Sequence, residues 1–368
     1  MFVRSKYVGF ILVAFAAVVT TSCALFDPEA FSDSQRMTLG TGTPVPAAAE
    51  TVAVGTTRAD AADDPEIWVD PTNPSRVVIL GTDKQAGLYA YGLDGEVLSF
   101  IPDGRLNNVD LRGGFATASG ERVLVAASDR GRMGAALYLM HPQTFELTPW
   151  GVVPLDLVEP YGLCVGRRGS DFLIFINSTD GQVRQINVRS GPDGAVQAVE
   201  ERRFSVPSQP EGCVVDDVRG RLYLGEEAAG IWRFDTAASG AAEGRLIEPA
   251  PSDRLTPDVE GLTLLHEPDG ASWLIASSQG DGAFAVYRAD GPELVYRGRF
   301  SVHPANGVDA VTGTDGVAAM GGAVGPYASG LVVMQDDADT EGEALESRRE
   351  AQNFKLVDWA EIRRALGL

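Results

Sequence analysis

Short runs of β-branched and aromatic residues alternate with polar turn signals along almost the whole chain. Glu66 to Val69, Arg76 to Leu80, Gly87 to Tyr91 and Val97 to Phe100 make the first set. Between them lie Asp70 to Pro74, Asp83 to Ala86 and Leu93-Asp94-Gly95. Those stretches are rich in the Asp, Asn, Pro and Gly that tight turns use, so the set predicts four strands joined by hairpins. The set then recurs. Each return opens with an acidic or polar knot: Asp63-Asp64-Pro65, Asn107-Asn108-Val109-Asp110, Glu159-Pro160-Tyr161-Gly162, Gln209-Pro210-Glu211-Gly212, Asp258-Val259-Glu260-Gly261 and Asn306-Gly307-Val308-Asp309. With Asp64, Asn108, Tyr161, Glu211, Glu260 and Asp309 as markers, the unit returns every 44 to 53 residues. Four strands at that period mark propeller blades. A β-solenoid has shorter and more uniform repeats. The pattern therefore predicts an all-β protein, a six-bladed β-propeller with about four antiparallel strands per blade.

Both ends leave the pattern. Residues 1–23 read as an export signal: Arg4 and Lys6, an uncharged apolar run from Tyr7 to Val19, then Thr20-Thr21-Ser22-Cys23. A cysteine at that place also suits lipid attachment. The run is shorter than the roughly 20 apolar residues of a membrane-spanning helix. Residues 24–46 are rich in Ser, Thr, Gly and Pro and read as a flexible tether. The propeller takes 47–368. Gln352 to Val357 reads as a last strand and Asp358 to Leu368 as a short helix. Closing the ring predicts that the stretch from Glu50 to Val54 pairs with the last blade. The protein is thus expected to be exported, as an outer-membrane or periplasmic lipoprotein or a secreted monomer, touching membrane only through Cys23. Cys164 and Cys213 each follow a marker in neighbouring blades. They either pair across the two blades or stay as buried thiols.

Charge sharpens the picture. The chain carries 51 acidic and 30 basic side chains, a formal charge of −21, which repels bare nucleic acid. The first residues of a blade's inner strand lie at one rim of the central channel. That rim should gather Asp63, Asp64, Asp110, Glu211, Asp258, Glu260 and Asp309, with Asp315 six residues on and Glu227 from the side. Carboxylates at this density protonate or take up a cation. None of the three histidines falls in a knot. Hard oxygen donors on flexible loops suit Ca²⁺ better than Mg²⁺ or zinc. Lys84, Arg105 and Arg130 lie near the knots, and Tyr161 is within one. Basic groups beside bound cations suit phosphate, with arginine gripping it in bidentate fashion.

These residues also carry a resemblance. Ala61 to Trp68, Gly104 to Asp110, Pro210 to Asp217, Thr256 to Thr263, Ala276 to Gly280 and Gln352 to Lys355 resemble, in order, the β-propeller phytases. That family comprises calcium-dependent phosphatases acting on myo-inositol hexakisphosphate (phytate). The resemblance runs from about Ala47 to Ile362. It implies several calcium ions, structural and catalytic. Glu50, Asp64, Glu211, Glu260, Asp309 and Asp315 would be ligands at the active rim, with Asp63, Asp258 and Glu227 close by. Asp336 and Asn353 would lie near a structural ion. Lys84, Arg130 and Tyr161 would grip phosphate, with Arg105 and Gln279 beside them. The chain departs from the family at Gln85 and Thr179, where basic residues are common, and at Ala318, where an Asp is usual.

The implied reaction is attack of a calcium-bound water on phosphorus, the substrate being phytate or its calcium complex. Glu211 and Glu260 would hold the ions, Asp258 would orient or deprotonate the water, and Lys84 and Arg130 would stabilise charge on the phosphoryl oxygens. No Cys or His stands in a nucleophile motif. Two other readings share the fold: a calcium-dependent lactonase or esterase, which has no use for Lys84, Arg105 and Arg130, and a non-catalytic polyanion-binding propeller.

Overall fold

A computed structural model describes residues 39–57, 59–340 and 351–368. The export signal and most of the expected tether lie outside the described residues. Among the described residues the strands form five four-stranded sheets and one of five strands, arranged as six blades. The inner strands are Ala62–Val69, Leu106–Thr117, Pro160–Arg168, Pro210–Asp216, Leu262–His266 and Val317–Gly321.

Hydrophobic alternation drives the stacking of the blades. In the first blade Val77 and Ile79 face one seam while Val78 and Leu80 face the next. Successive strand residues point to opposite faces, so a strand covered on both sides is apolar throughout. Each of the six seams has its own buried cluster. Ile67, Ile79 and Tyr91 meet Leu331, Val333 and Phe354 where the last blade returns to the first. The outermost strand of a blade has no such cover, and Val97, Leu98 and Phe100 are exposed.

Ring closure follows the expectation. Ala49–Glu50 pairs antiparallel with Asn353–Asp358 and supplies the outer strand of the sixth blade. The Thr51 and Val54 amides extend the contact to the carbonyls of Phe354 and Gln352. The chain ends in a helix, Trp359–Leu366, capped by the Asp358 carboxylate and by Gly367 in the left-handed region. Its Trp359 fills the fifth seam and donates to Glu267.

Two expectations are corrected. The tether does not reach residue 46: Thr43–Pro46 is a strand, paired in parallel with the outer strand Val295–His303 of the fifth blade. Prolines 44 and 46 lack donors, which an edge strand tolerates, and Val45 is buried in the seam cluster. The sixth inner strand begins after Asp315, not Asp309, because the last blade has a longer entry loop. Cys164 and Cys213 are joined, linking the inner strands of the third and fourth blades across a Cα separation of 5.6 Å.

Candidate active site at the channel rim

Each blade ends its second strand beside the start of its inner strand: Asp83 opposite Ala62, Asp129 opposite Leu106, Glu226 opposite Pro210. This hairpin geometry sets the knots and the residues Lys84, Arg130 and Glu227 on one rim. Lys84 is buried there. Its ammonium lies 2.8 Å from Asp60, 3.2 Å from Asp63 and 3.0 Å from Asp315. Gln279 donates to the other oxygen of Asp315.

Beside this knot stand Glu211, Glu227 and Glu260, all buried, with a carboxylate oxygen of each within 4.8 Å of the others. Asn107 donates to Glu211 at 2.7 Å and Gln209 to Glu227 at 2.8 Å. Both oxygens of Glu260 are buried and accept no hydrogen bond among the described residues. Burial, then the charges of Glu211 and Glu227, push the Glu260 carboxyl well above the usual carboxylate range. Burial also raises Asp63, to about 7, against the pull of Lys84. The rim thus holds six carboxylates, with Asp60, Asp63 and Asp315 around Lys84 and Glu211, Glu227 and Glu260 beside them. Carboxylates with spare oxygens and no nitrogen or sulfur donor among them form a hard, cation-accepting set that fits calcium.

Arg130 faces this set from the second blade. Its Nε donates to Glu159 at 2.8 Å, its Nη1 to Asn107 Oδ1 at 3.2 Å, and its guanidinium lies 5.5 Å from the centre of the Tyr161 ring. Arg105, half exposed, also turns toward Glu159, at 3.6 Å. Burial works against the Arg130 charge, yet Glu159 overrules it and holds its pKa above the ordinary arginine value. Asn107 takes from Arg130 through one end of its amide and gives to Glu211 through the other, so the fork and the carboxylate triad are held as one unit.

Not every residue read from the sequence joins this group. Asp64 spends one oxygen on the Val109 amide and Asp110 spends one on Val165, each tying its inner strand to that of the next blade. Asp110 also pairs with Arg112 at 2.7 Å, inside a channel cavity of about 340 Å³. These two carboxylates act as inter-blade ties below the rim. Asp258 stands in the loop ahead of Glu260, half-buried, and its main-chain carbonyl accepts from Gln279; it is not one of the triad. Glu50, Asp309, Asp336 and Asn353 form a separate knot at the closing seam. There the buried Lys355 ammonium lies 2.6 Å from Glu50, 2.5 Å from Asp309 and 3.0 Å from Asp336, and donates to Asn353. Glu50 and Asp309 therefore leave the active rim, contrary to the expectation, because the long last loop and the closing strand carry them to the seam. Sequence reasoning missed Asp60, Asn107 and Glu159. Asn107 and Glu159 stood inside recognised knots and Asp60 stands three residues before one, so their position was a signal although their roles were not.

Comparison with known proteins agrees with this geometry. A family model described as Phytase matches residues 11–368. A 3-phytase of Bacillus subtilis (strain 168) is 35% identical over 319 residues, which is 84% of this chain and 82% of that protein. Among solved structures, U3-55K is 11% identical with a TM-score of 0.47, over 85% of this chain and 99% of that one. The β-propeller domain of Cps50 (Swd1) from Myceliophteria thermophila is 10% identical with a TM-score of 0.43, over 80% of this chain and 82% of that one. Those two likenesses are distant, and the fold rests on the strand pairing itself.

Proposed function

The chain belongs to the phytase family, and from that premise we propose that it releases phosphate from phytate in a calcium-dependent reaction at the channel rim. The observation that carries the calcium dependence is the Glu211–Glu227–Glu260 triad, with both Glu260 oxygens buried and served by no N–H or hydroxyl donor among the described residues. A buried carboxylate is held ionised only by a partner charge, and the triad offers oxygen alone. Glu211, Glu227 and Glu260 would hold the catalytic calcium, with Asp63 and Asp315 shared between it and Lys84. Calcium, when bound, cancels phosphate charge and makes a water more acidic.

This chain's own residues do the rest. Arg130 is pre-set by Glu159, Asn107 and the Tyr161 face, so its guanidinium meets phosphoryl oxygens without reordering. Lys84 brings a second positive charge and Gln279 an amide beside Asp315. Arg105 stands further out, where a neighbouring phosphate of the same ring would lie. Asp258, next to the triad without being part of it, is the carboxylate we assign to orient the attacking water. At the closing seam three carboxylates share one lysine, which leaves room in charge for a second, structural ion there.

The same reading takes residues 1–23 as an export signal and Cys23 as a lipid-attachment site. The Cys164–Cys213 disulfide supports it, since such bonds persist in oxidising compartments. The test of function is inorganic phosphate release from phytate with calcium present and with calcium chelated. Release that stops on chelation and resumes on adding calcium back is the expected result. Undiminished release in chelator would remove calcium from the mechanism.

A further inference from the structure

The acidic rim has a counterpart at the other end of the ring. The inner strand Pro210–Asp216 runs away from the rim, and the hairpin that follows it ends in Arg219 and Arg221. On the next strands Arg233 lies directly opposite Arg245, and Arg221 lies opposite Asp235, two residues from Arg233. Directly paired residues share a face of the sheet, so Arg221, Arg233 and Arg245 lie on one face, with Asp235 between Arg221 and Arg233. Like charges placed opposite each other across strands repel, unless an anion covers them.

The cover present is partial. Arg245 is taken by Glu293 through both terminal nitrogens. Arg219 pairs with Asp216 at 3.1 Å. Arg221 and Arg233 have no ion pair among the described residues. Each donates one N–H to a main-chain carbonyl of the turn that follows Ala283–Arg288 in the fifth blade: Arg221 to Gly291 at 2.7 Å, Arg233 to Pro292. Arg219 donates to Asp290 of the same turn at 3.2 Å. Three successive carbonyls thus anchor three arginines by one edge each. The other N–H groups of Arg221 and Arg233 reach no acceptor among the described residues, and these arginines border a groove of about 470 Å³. Asp235, Glu243 and Glu293 also line this groove, yet the four arginines outnumber them, which is unusual in a chain of net charge −21.

We propose that this groove is a second anion site, taking one phosphate group through the unspent edges of Arg221 and Arg233. A guanidinium fixed by one edge presents the geometry that binds a tetrahedral oxyanion in bidentate fashion, which a lysine cannot copy. The ligand class is phosphate, from inorganic phosphate or from an inositol phosphate. The site lies across the ring from the rim, so one molecule occupies it while another stands at the triad.

The experiment is calorimetric titration of the calcium-free, full-length protein with inorganic phosphate and, separately, with phytate. The double variant Arg221→Gln/Arg233→Gln should bind the preferred ligand at least about tenfold more weakly, and loss for one ligand but not the other names the source. Identical isotherms for wild type and variant with both ligands would overturn the proposal. If the double variant does not fold, hydrogen exchange on the wild-type protein decides. Saturating ligand should slow exchange in the segments 219–235 and 288–295, and unchanged exchange there overturns the site. Neither readout depends on turnover.

Discussion

Two buried lysines sit in matching surroundings with different consequences. Lys84 at the rim and Lys355 at the closing seam each meet three carboxylates within 3.2 Å. At the seam every carboxylate of the knot touches the lysine, and the charge left over suits a structural ion. Burial opposes the Lys355 charge, but Asp336, Asp309 and Glu50 outweigh it and raise its pKa. At the rim the same knot abuts a second set, Glu211, Glu227 and Glu260, and Glu260 has no hydrogen-bond donor among the described residues. A lysine inside a carboxylate ring closes the fold; carboxylates beyond its reach create demand for an outside cation. The difference separates an architectural knot from a chemical one.

The largest effect should come from the unsatisfied set. Glu260→Ala is expected to lower calcium-dependent phosphate release at least about a hundredfold while leaving the circular dichroism of the folded protein in place. The next comparison exchanges the lysines. Lys355→Met leaves a buried ring without its cation and should destabilise the calcium-free protein by about 3–5 kcal/mol in denaturant titration. At saturating calcium it should regain turnover as the fold recovers. Lys84→Met should stay slow under the same conditions, because a phosphate-facing charge is gone. Equal recovery of both variants would erase the distinction between the two knots.

The disulfide is a smaller lever on the same rim, since Cys213 lies two residues beyond Glu211. Cys164→Ser/Cys213→Ser should cost roughly 2–4 kcal/mol of stability, read as a shift in denaturation midpoint, with calcium affinity changed less. Proton linkage gives the mildest test. Burial raises Asp63 and Asp336 to about 7 in the folded protein, above the ordinary 3.8. Their share of the stability of the calcium-free fold is full below about pH 4 and is lost as pH rises through about 7. Calcium must displace those protons, so its affinity should climb over the same interval and level off above it. Titrations at several pH values read both trends.

Much of this was legible in the chain. Alternation within Val77 to Leu80 and the recurring knots gave blade number, strand number and rim, because period and turn chemistry are local properties. Five of the six markers fell on inner strands or at their threshold. The sixth, Asp309, did not, because the last blade is completed by Ala49–Glu50 from the far end of the chain and its loops are longer. That closure is a long-range event with no local period. The strand at Thr43–Pro46 was hidden for a related reason: its composition is that of a linker, and the buried side chain of Val45 ties it to the seam. At the site, the carboxylates of Glu211 and Glu260 were visible through recurrence. The bridge made by Asn107 was not, since which neighbour an amide touches depends on packing that spacing does not encode. Lys355 among Glu50, Asp309 and Asp336 was equally invisible, because those three groups come from distant parts of the chain.

The most direct test of the rim as a cation-demanding centre is calcium titration of the metal-free, full-length protein beside its isosteric variant Glu260→Gln. The predicted result is that the variant, equally folded, binds at least one calcium fewer and no longer releases phosphate from phytate. Equal calcium stoichiometry together with undiminished release would contradict the account.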